Sequence, residues 1–450
     1  MAVTNSFACS WYKINFMNVL FISYDLTGIT LASKLIEEGN RVKIFERVDG
    51  WKDKIYRPGI QFINDWKKEL HWVGKDGLII FDYSGMADVQ EKLRKEGYSV
   101  FGGGKLGEML ENNRQYGQKI FSAAGINIKN SKDFYNIEEM VRFVQKHRGK
   151  WVVKQNGNSD KGLNYVGSLE SGEDVISILK SYKKILKTKH FHFDLQEKIE
   201  GIEIAVGRYF NGNNWIGPIC INVEHKGLFN GNLGPKGEEM GSLVWYEISE
   251  NKLFKAVLDK MKEYLARVGY RGYFDINCIV DENNAYPLEA TARLAYPTTQ
   301  AQMSLLQSPW GKFLKSIADS KNYNPNYKKE YCVLVFIGTP PYPYRNNLNY
   351  HSPKGLSVIF KEKLNKKESG NIYFEEVSFA DGRSAEEYSV CGKSGYIAHV
   401  AGTGKTISKA RKNAYQLVEK IIIPKMFYRT DIGAKMEDME FRKLKKWGWL

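Results

Sequence analysis

Between residues 18 and 101, short apolar runs alternate with amphipathic stretches at a spacing that leaves few architectures open. Strands are expected over 18–22, 42–45, 77–81 and 99–101, and helices over 30–38 and 86–96. Strands that succeed one another through a helix pair in parallel, so this region reads as a parallel sheet with crossover helices. Its first turn, Ser23-Tyr-Asp-Leu-Thr-Gly28, has a single glycine where a dinucleotide fingerprint needs three, and NAD is not an expected ligand. Phe101-Gly-Gly-Gly-Lys105 breaks the pattern and reads as a hinge, with a helical segment over 108–125 beyond it.

The chemistry is concentrated further on. Residues 273–293, Tyr273-Phe-Asp-Ile-Asn-Cys-Ile-Val-Asp-Glu-Asn-Asn-Ala-Tyr-Pro-Leu-Glu-Ala-Thr-Ala-Arg293, read as two adjacent strands around a turn at 281–284. Period-two alternation turns Asp275 and Asn277 to one face, and Glu289, Thr291 and Arg293 share a face of the second strand. Oxygen donors beside an arginine can hold Mg2+ against a triphosphate, and a plain surface hairpin has the same pattern. Upstream, Lys154 ends an apolar strand, Lys161 and Gly162 sit in the flexible turn after it, and a returning strand completes a flap. Its amides and two ammonium groups would face an anion beneath it. A third strand pair begins within 195–206.

In this order the pieces resemble an ATP-grasp ligase. More closely, they are similar to phosphoribosylamine-glycine ligase over nearly all of residues 17–434. Val152-Val-Lys-Gln-Asn-Gly157 with Asp160-Lys-Gly162 looks like the family's phosphate-binding lysine and flap, and Gln196-Glu-Lys-Ile-Glu-Gly-Ile-Glu203 looks like its hinge. Glu224-His-Lys-Gly227, Gly231-Asn-Leu-Gly-Pro235, Leu288-Glu-Ala-Thr-Ala-Arg-Leu-Ala-Tyr-Pro-Thr-Thr-Gln300 and Phe427-Tyr-Arg-Thr-Asp-Ile-Gly433 resemble further family segments.

The resemblance implies an α/β ATP-grasp ligase. A Rossmann-like substrate domain would span 17–112, and an ATP-grasp domain 113–320 with its flap at about 130–200. A small C-terminal α+β domain would span 330–434, with an extension at 1–16 and a basic tail at 435–450. ATP with Mg2+ or Mn2+ is implied. Lys154, Lys161 and Gly162 would meet its phosphates, the backbone of Gln196, Glu197 and Ile199 its adenine, and Glu203 its ribose. Glu289, Asn277 and Thr291 would hold the metal. Arg293, Lys226 and His225 would be the catalytic side chains, with Arg293 on the phosphoryl group in transfer. The implied reaction phosphorylates a carboxylate, and an amine then displaces phosphate to leave an amide. The implied substrates are phosphoribosylamine and glycine, in a cytoplasmic enzyme of purine biosynthesis that is a monomer or homodimer.

The departures lie on the substrate side. The family's first turn, Gly-Ser-Gly-Gly-Arg-Glu-His-Ala, is Ser23-Tyr-Asp-Leu-Thr-Gly-Ile-Thr30 here, and its Gly-Pro-Glu is Phe81-Asp-Tyr-Ser-Gly85. Its Asn-Thr-Gly-Gly-Met-Gly loop is Lys236-Gly-Glu-Glu-Met-Gly241, its metal-side asparagine is Thr291, and a later aspartate is Tyr296. Each lost hydrogen-bond partner costs about 1–3 kcal/mol, enough to abolish recognition of the original ligand. A ligase with altered substrates is therefore expected. The alternatives are a catalytically impaired ATP-binding relative, or a ligase that joins an amino acid to a nucleotide or nucleic acid.

Composition adds limits. A net charge of +15 draws every kind of polyanion and selects none, and no zinc-finger, basic-zipper or RNP-type spacing supports nucleic acid. Five scattered cysteines fit a reducing compartment better than disulfides or zinc, and no apolar run is long enough to span a membrane. Gly402-Thr-Gly-Lys-Thr406 fails as a P-loop because His399 stands where the first glycine belongs. A turn is expected there, then a helix capped near Thr406 with Ala410, Ala414, Leu417, Val418 and Ile421 on one face and its end at Pro424. Strands over 331–336, 356–360 and 396–400 accompany it, and Lys445-Lys-Trp-Gly-Trp-Leu450 reads as a frayed terminus.

Overall fold

The computed structural model describes residues 16–24, 27–47, 55–129, 131–155, 163–186, 192–344, 351–379 and 388–450. Lys161, Gly162 and nearly all of the 1–16 extension lie outside the described residues.

Strands β1 (Asn18–Ser23), β2 (Arg41–Glu46), β3 (Ile60–Ile63), β4 (Leu78–Phe81) and β5 (Val100–Phe101) form a parallel sheet in the order β3-β2-β1-β4-β5. β1 is apolar along its length because both of its faces are covered. Val19 and Phe21 pack with Leu31 and Leu35 of helix Ile29–Glu37, and Leu20 and Ile22 with Trp66, Val73 and Leu93. The expected elements are all present, and β3 is an additional edge strand.

Two expectations for the next segment fail. The glycines after Phe101 are not a hinge, because Gly102 bridges to Arg271 and helix Gly104–Asn112 starts at once. The single helix expected over 108–125 is two, Gly104–Asn112 and Arg114–Ala123. Asn113 leaves helical geometry between them and caps the second by accepting a hydrogen bond from the Tyr116 amide.

Strands β6 (Ser131–Phe134), β7 (Trp151–Gln155), β8 (Tyr165–Val166) and β9 (Phe193–Glu197) make a small antiparallel sheet ordered β6-β9-β7-β8. It packs on helices Ile137–Lys146 and Glu173–Ile185 through Val153, Leu195, Met140 and Leu179. A larger antiparallel sheet follows. β10 (Ile202–Asn211) and β11 (Trp215–Glu224) lead to a hairpin, β12 (Gly227–Phe229) and β13 (Leu233–Lys236), and the chain returns through β14 (Gly241–Glu247), β15 (Arg271–Val280) and β16 (Ala285–Thr291). The remaining strands are β17 (Tyr331–Gly338), β18 (Ser357–Phe360), β19 (Ile372–Phe374), β20 (Val377–Phe379), β21 (Tyr388–Val390), β22 (Tyr396–Gly404) and β23 (Ile421–Ile422). The large sheet has the order β16-β15-β10-β11-β14-β17-β22-β19, so C-terminal strands extend the same sheet that carries β15 and β16.

The C-terminal region corrects three further expectations. Gly402 and Gly404 belong to β22 and not to a turn; a Cβ on Gly402 would collide with the Ala414 amide nitrogen, so glycine lets the next helix lie directly on the strand. That helix, Ile407–Val418, is capped as expected by Thr406, but Ile421 lies beyond it in β23, opposite Phe360. The end of the chain is not frayed. Helix Phe441–Lys446 packs Phe441 edge-on against Trp245 and Tyr331, Leu444 and Trp449 are buried, and the Trp449 indole donates to the Asp281 carbonyl at 2.7 Å.

Candidate active site

The register of the large sheet gathers residues that are far apart in sequence. Asn277 on β15 faces Glu289 across the β15–β16 pair, and Asp275 faces Thr291. Glu203 on β10 and Glu224 at the end of β11 come up beside them. Lys226 lies among these carboxylates, with Nζ 2.9 Å from Glu224, 3.3 Å from Glu289 and 3.5 Å from Glu203. Burial alone would lower the Lys226 pKa, but Glu224, Glu289 and Glu203 together hold it well above the usual lysine value. Asn277 donates from Nδ2 to Glu224 Oε2 at 3.1 Å, which turns its amide oxygen away from that carboxylate.

Two buried carboxyls near these residues are pushed toward their neutral forms. Burial, reinforced by Glu224, pushes Asp275 up to about 8, and the Thr291 hydroxyl hydrogen-bonds it. Thr291 therefore serves its cross-strand neighbour, which gives a physical reason for threonine at this position. Glu239 is buried, pushed well up by burial and by Glu224, and one of its oxygens has no hydrogen-bond partner among the described residues. Arg293 is anchored by Glu111 at 3.0 Å, and Glu111 also accepts from the Ala292 amide at 2.9 Å. Lys154 on β7 donates to Gln196 Oε1 at 2.6 Å, and burial, with Arg114 nearby, lowers its pKa to about 8.

The sequence candidates thus divide. Glu203, Lys226, Asn277, Glu289 and Thr291 converge on one face, and Arg293 stands next to it. Lys154, Gln196 and Glu197 lie on the small sheet, and Ile199 lies in the segment joining β9 to β10. His225 is turned elsewhere. Its Nε2 accepts from the Gly433 amide at 3.2 Å, and burial together with Arg429 lowers its pKa to about 4, so it is a neutral link to the closing segment. Glu111, Glu239 and Arg114 were not singled out from sequence, because each acquires its place only through tertiary pairing.

Oxygen donors suit a hard cation such as Mg2+. Among the described residues no three acidic, cysteine or histidine side chains are placed to hold a metal by themselves. That fits an ion that takes one or two protein ligands and completes its shell with phosphate and water.

An open parallel sheet, a small lysine-bearing sheet and a large sheet presenting carboxylates are the parts of an ATP-grasp ligase. Residues 112–299 match the family model described as phosphoribosylglycinamide synthetase, ATP-grasp (A) domain, and residues 334–435 the one described as phosphoribosylglycinamide synthetase, C domain. The chain belongs to the phosphoribosylamine-glycine ligase family, as a divergent member. The phosphoribosylamine-glycine ligase of Clostridium acetobutylicum is 23% identical over 357 residues, 77% of this chain and 81% of that protein. Among solved structures, the Thermotoga maritima phosphoribosylamine-glycine ligase superposes with a TM-score of 0.67 at 21% identity, covering 92% of this chain and 100% of that one. A biotin carboxylase in complex with β-γ-ATP from Campylobacter jejuni has a TM-score of 0.62 at 13% identity, covering 95% and 97%. No helix among the described residues is long and apolar enough to cross a membrane.

Proposed function

We propose that the protein is an ATP- and Mg2+-dependent ligase that joins a carboxylate to an amine. The observation that carries this reading is the meeting of Glu289, Asn277 and Lys226 on one face of the large sheet, in a chain of this family. Lys154 would draw the nucleotide phosphates, with the 196–199 backbone at adenine and Glu203 at the ribose. Glu289 and Asn277 would hold the metal, which when bound neutralises phosphate charge. Arg293, kept in one orientation by Glu111, would stabilise charge on the phosphoryl group as it passes to the substrate carboxylate. The amine then displaces phosphate, so the protein supplies alignment and charge rather than a covalent nucleophile. Phosphoribosylamine and glycine are the substrates named for the relatives. The replaced first turn favours a different amine here. The four cysteines among the described residues are free and buried, which suits the reducing cytoplasm.

The test is phosphate release from Mg-ATP, screened with paired amines and small amino acids, with Glu289→Ala in parallel. Release that needs both substrates and falls at least about a hundredfold in the variant supports the reading. Release indifferent to Glu289 would remove it.

A further inference from the structure

Lys226 is the counter-charge at the centre of the carboxylates on the large sheet, and the residues on either side of it are both held by the closing segment, 427–433. Before it, His225 Nε2 accepts from the Gly433 amide at 3.2 Å; after it, the Gly227 carbonyl accepts from Arg429 Nη1 at 2.9 Å. Arg429 is 2% exposed, and each nitrogen of its guanidinium is engaged. Nε and Nη2 donate to the two oxygens of Asp431 at 2.8 and 2.7 Å, and Nη1 also donates to Asn232 Oδ1 at 2.5 Å. Two parallel bonds to one carboxylate fix the plane of the guanidinium, and with it the direction of the remaining nitrogen. Asp431 Oδ2 accepts in addition from the Gly231 amide at 2.8 Å.

The Arg429–Asp431 pair thus grips the β12–β13 hairpin at its root, Gly227, and at its turn, Gly231 and Asn232. Asn230 and Thr430 add two bonds outside it, from Asn230 Nδ2 to Thr430 Oγ1 at 2.6 Å and from the Thr430 amide to Asn230 Oδ1 at 3.1 Å. The hairpin needs such support. Its strands are three and four residues long, and an isolated ribbon of two strands is marginal at best in water. Leu228 packs with Met240 and Phe336, but Phe229 and Leu233 are 57% and 67% exposed. The Gly237 amide, just past the hairpin, donates to the Lys226 carbonyl at 2.9 Å, so a hairpin that shifts carries the Lys226 backbone with it. A lysine's long, flexible stem has no rigid fork of its own to hold the ammonium in place.

We infer that Arg429 is a positioning residue, which with Asp431 clamps the β12–β13 hairpin and thereby sets the Lys226 ammonium among Glu224, Glu289 and Glu203. What Lys226 then does rests on the ligase reading; where it stands does not. The bonds of Arg429 go to Asp431, Gly227 and Asn232, so its influence on the site passes through the hairpin backbone.

Acylation of lysines by acetic anhydride, read peptide by peptide by mass spectrometry on the full chain, tests the inference, with exposed Lys236 of the same hairpin as the internal reference. In the wild type, Lys226 should react far more slowly than Lys236. Arg429→Lys keeps the charge and loses the planar fork, and the ratio of Lys226 to Lys236 acylation should rise at least about tenfold, the change given by a fall of one unit in an amine pKa. Asn232→Gly is the milder variant. Asn232 has φ +60°, which glycine adopts without strain, so only the acceptor is removed. It should raise the ratio severalfold, Asn232→Asp should keep the wild-type ratio, and neither should move the unfolding midpoint. In steady-state phosphate release, Arg429→Lys and Asn232→Gly should lose kcat, by at least about tenfold in the former, with the KM for ATP little changed. A wild-type acylation ratio in Asn232→Gly and Arg429→Lys would overturn the inference, as would an equal rise in Asn232→Gly and Asn232→Asp. Absence of phosphate release from every sample, the wild type included, counts against the ligase reading alone, because the acylation ratio reports on the clamp without turnover.

Discussion

Lys226 Nζ sits 2.9 Å from Glu224 and 3.3 Å from Glu289, so one ammonium is the shared counter-charge of carboxylates from two different strands. In Lys226→Met those carboxylates lose it, and a divalent cation becomes the obvious substitute. The variant should lose ligase turnover, and millimolar Mg2+ without ATP should raise its melting temperature by several degrees while moving the wild type little. Thermal unfolding with and without Mg2+ checks this. Equal shifts in the two proteins would deny Lys226 that role.

Asp275 gives stability a definite pH slope. Its native pKa of about 8 lies above the ordinary aspartate value, so between roughly pH 4 and 8 the native state holds a proton that the unfolded chain has released. Its contribution is complete below pH 4 and is lost as the pH rises through 8. Urea denaturation should show Asp275→Asn with a flatter decline over that window than the wild type. Thr291→Asn, which restores the family residue, should cost about 1–2 kcal/mol through the buried hydrogen bond to Asp275.

Lys154, with its pKa lowered to about 8, is largely neutral at pH 9 in the free protein. Phosphate beside it would restore the charge, so nucleotide binding should take up close to one proton at pH 9 and almost none at pH 6.5. Calorimetry of MgADP binding in buffers of different ionisation enthalpy reads this directly. Lys154→Met should abolish the uptake.

Much of this arrangement is legible in the chain. β15 and β16 are marked by apolar–polar alternation around an Asp-Glu-Asn-Asn turn, but the register shift between Asn277 and Cys278, which sets Glu289 rather than Leu288 opposite Asn277, is not legible in it. The parallel sheet is legible for the same reason, except β3, which is only four residues long and shows little alternation. The meeting of Glu203, Glu224, Lys226 and Glu289 is not legible, because it depends on which strands become neighbours in the order β16-β15-β10-β11. Asp82 looks like an ordinary loop residue until Ser23 and Gly28 close around it. His225 stands in a motif-like run, and only the fold shows that its Nε2 accepts from the Gly433 amide.

The terminal tryptophan shows how composition misdirects. Lys445-Lys-Trp-Gly-Trp-Leu450 has the look of a solvated tail, but Trp449 is 1% exposed and the Leu253 amide donates to its carbonyl at 3.3 Å. Trp449→Ala should destabilise the protein by about 3–5 kcal/mol in urea. Removal of residues 447–450 should cost at least as much. Unchanged denaturation midpoints would contradict this packing.

Pairing between β14 and β17, from Gly241 opposite Val335 to Trp245 opposite Tyr331, makes the C-terminal strands a continuation of one hydrogen-bonded fabric. Detaching them would strip one side of β14 and leave a bare edge open to self-association. The C-terminal region is therefore poorly suited to swing as a unit during a catalytic cycle. Among the described residues the small sheet that carries Lys154 shares no strand pairing with the large one, so tilting it would break no ladder, and closure of the cleft is expected from the lysine's side rather than from the carboxylates'.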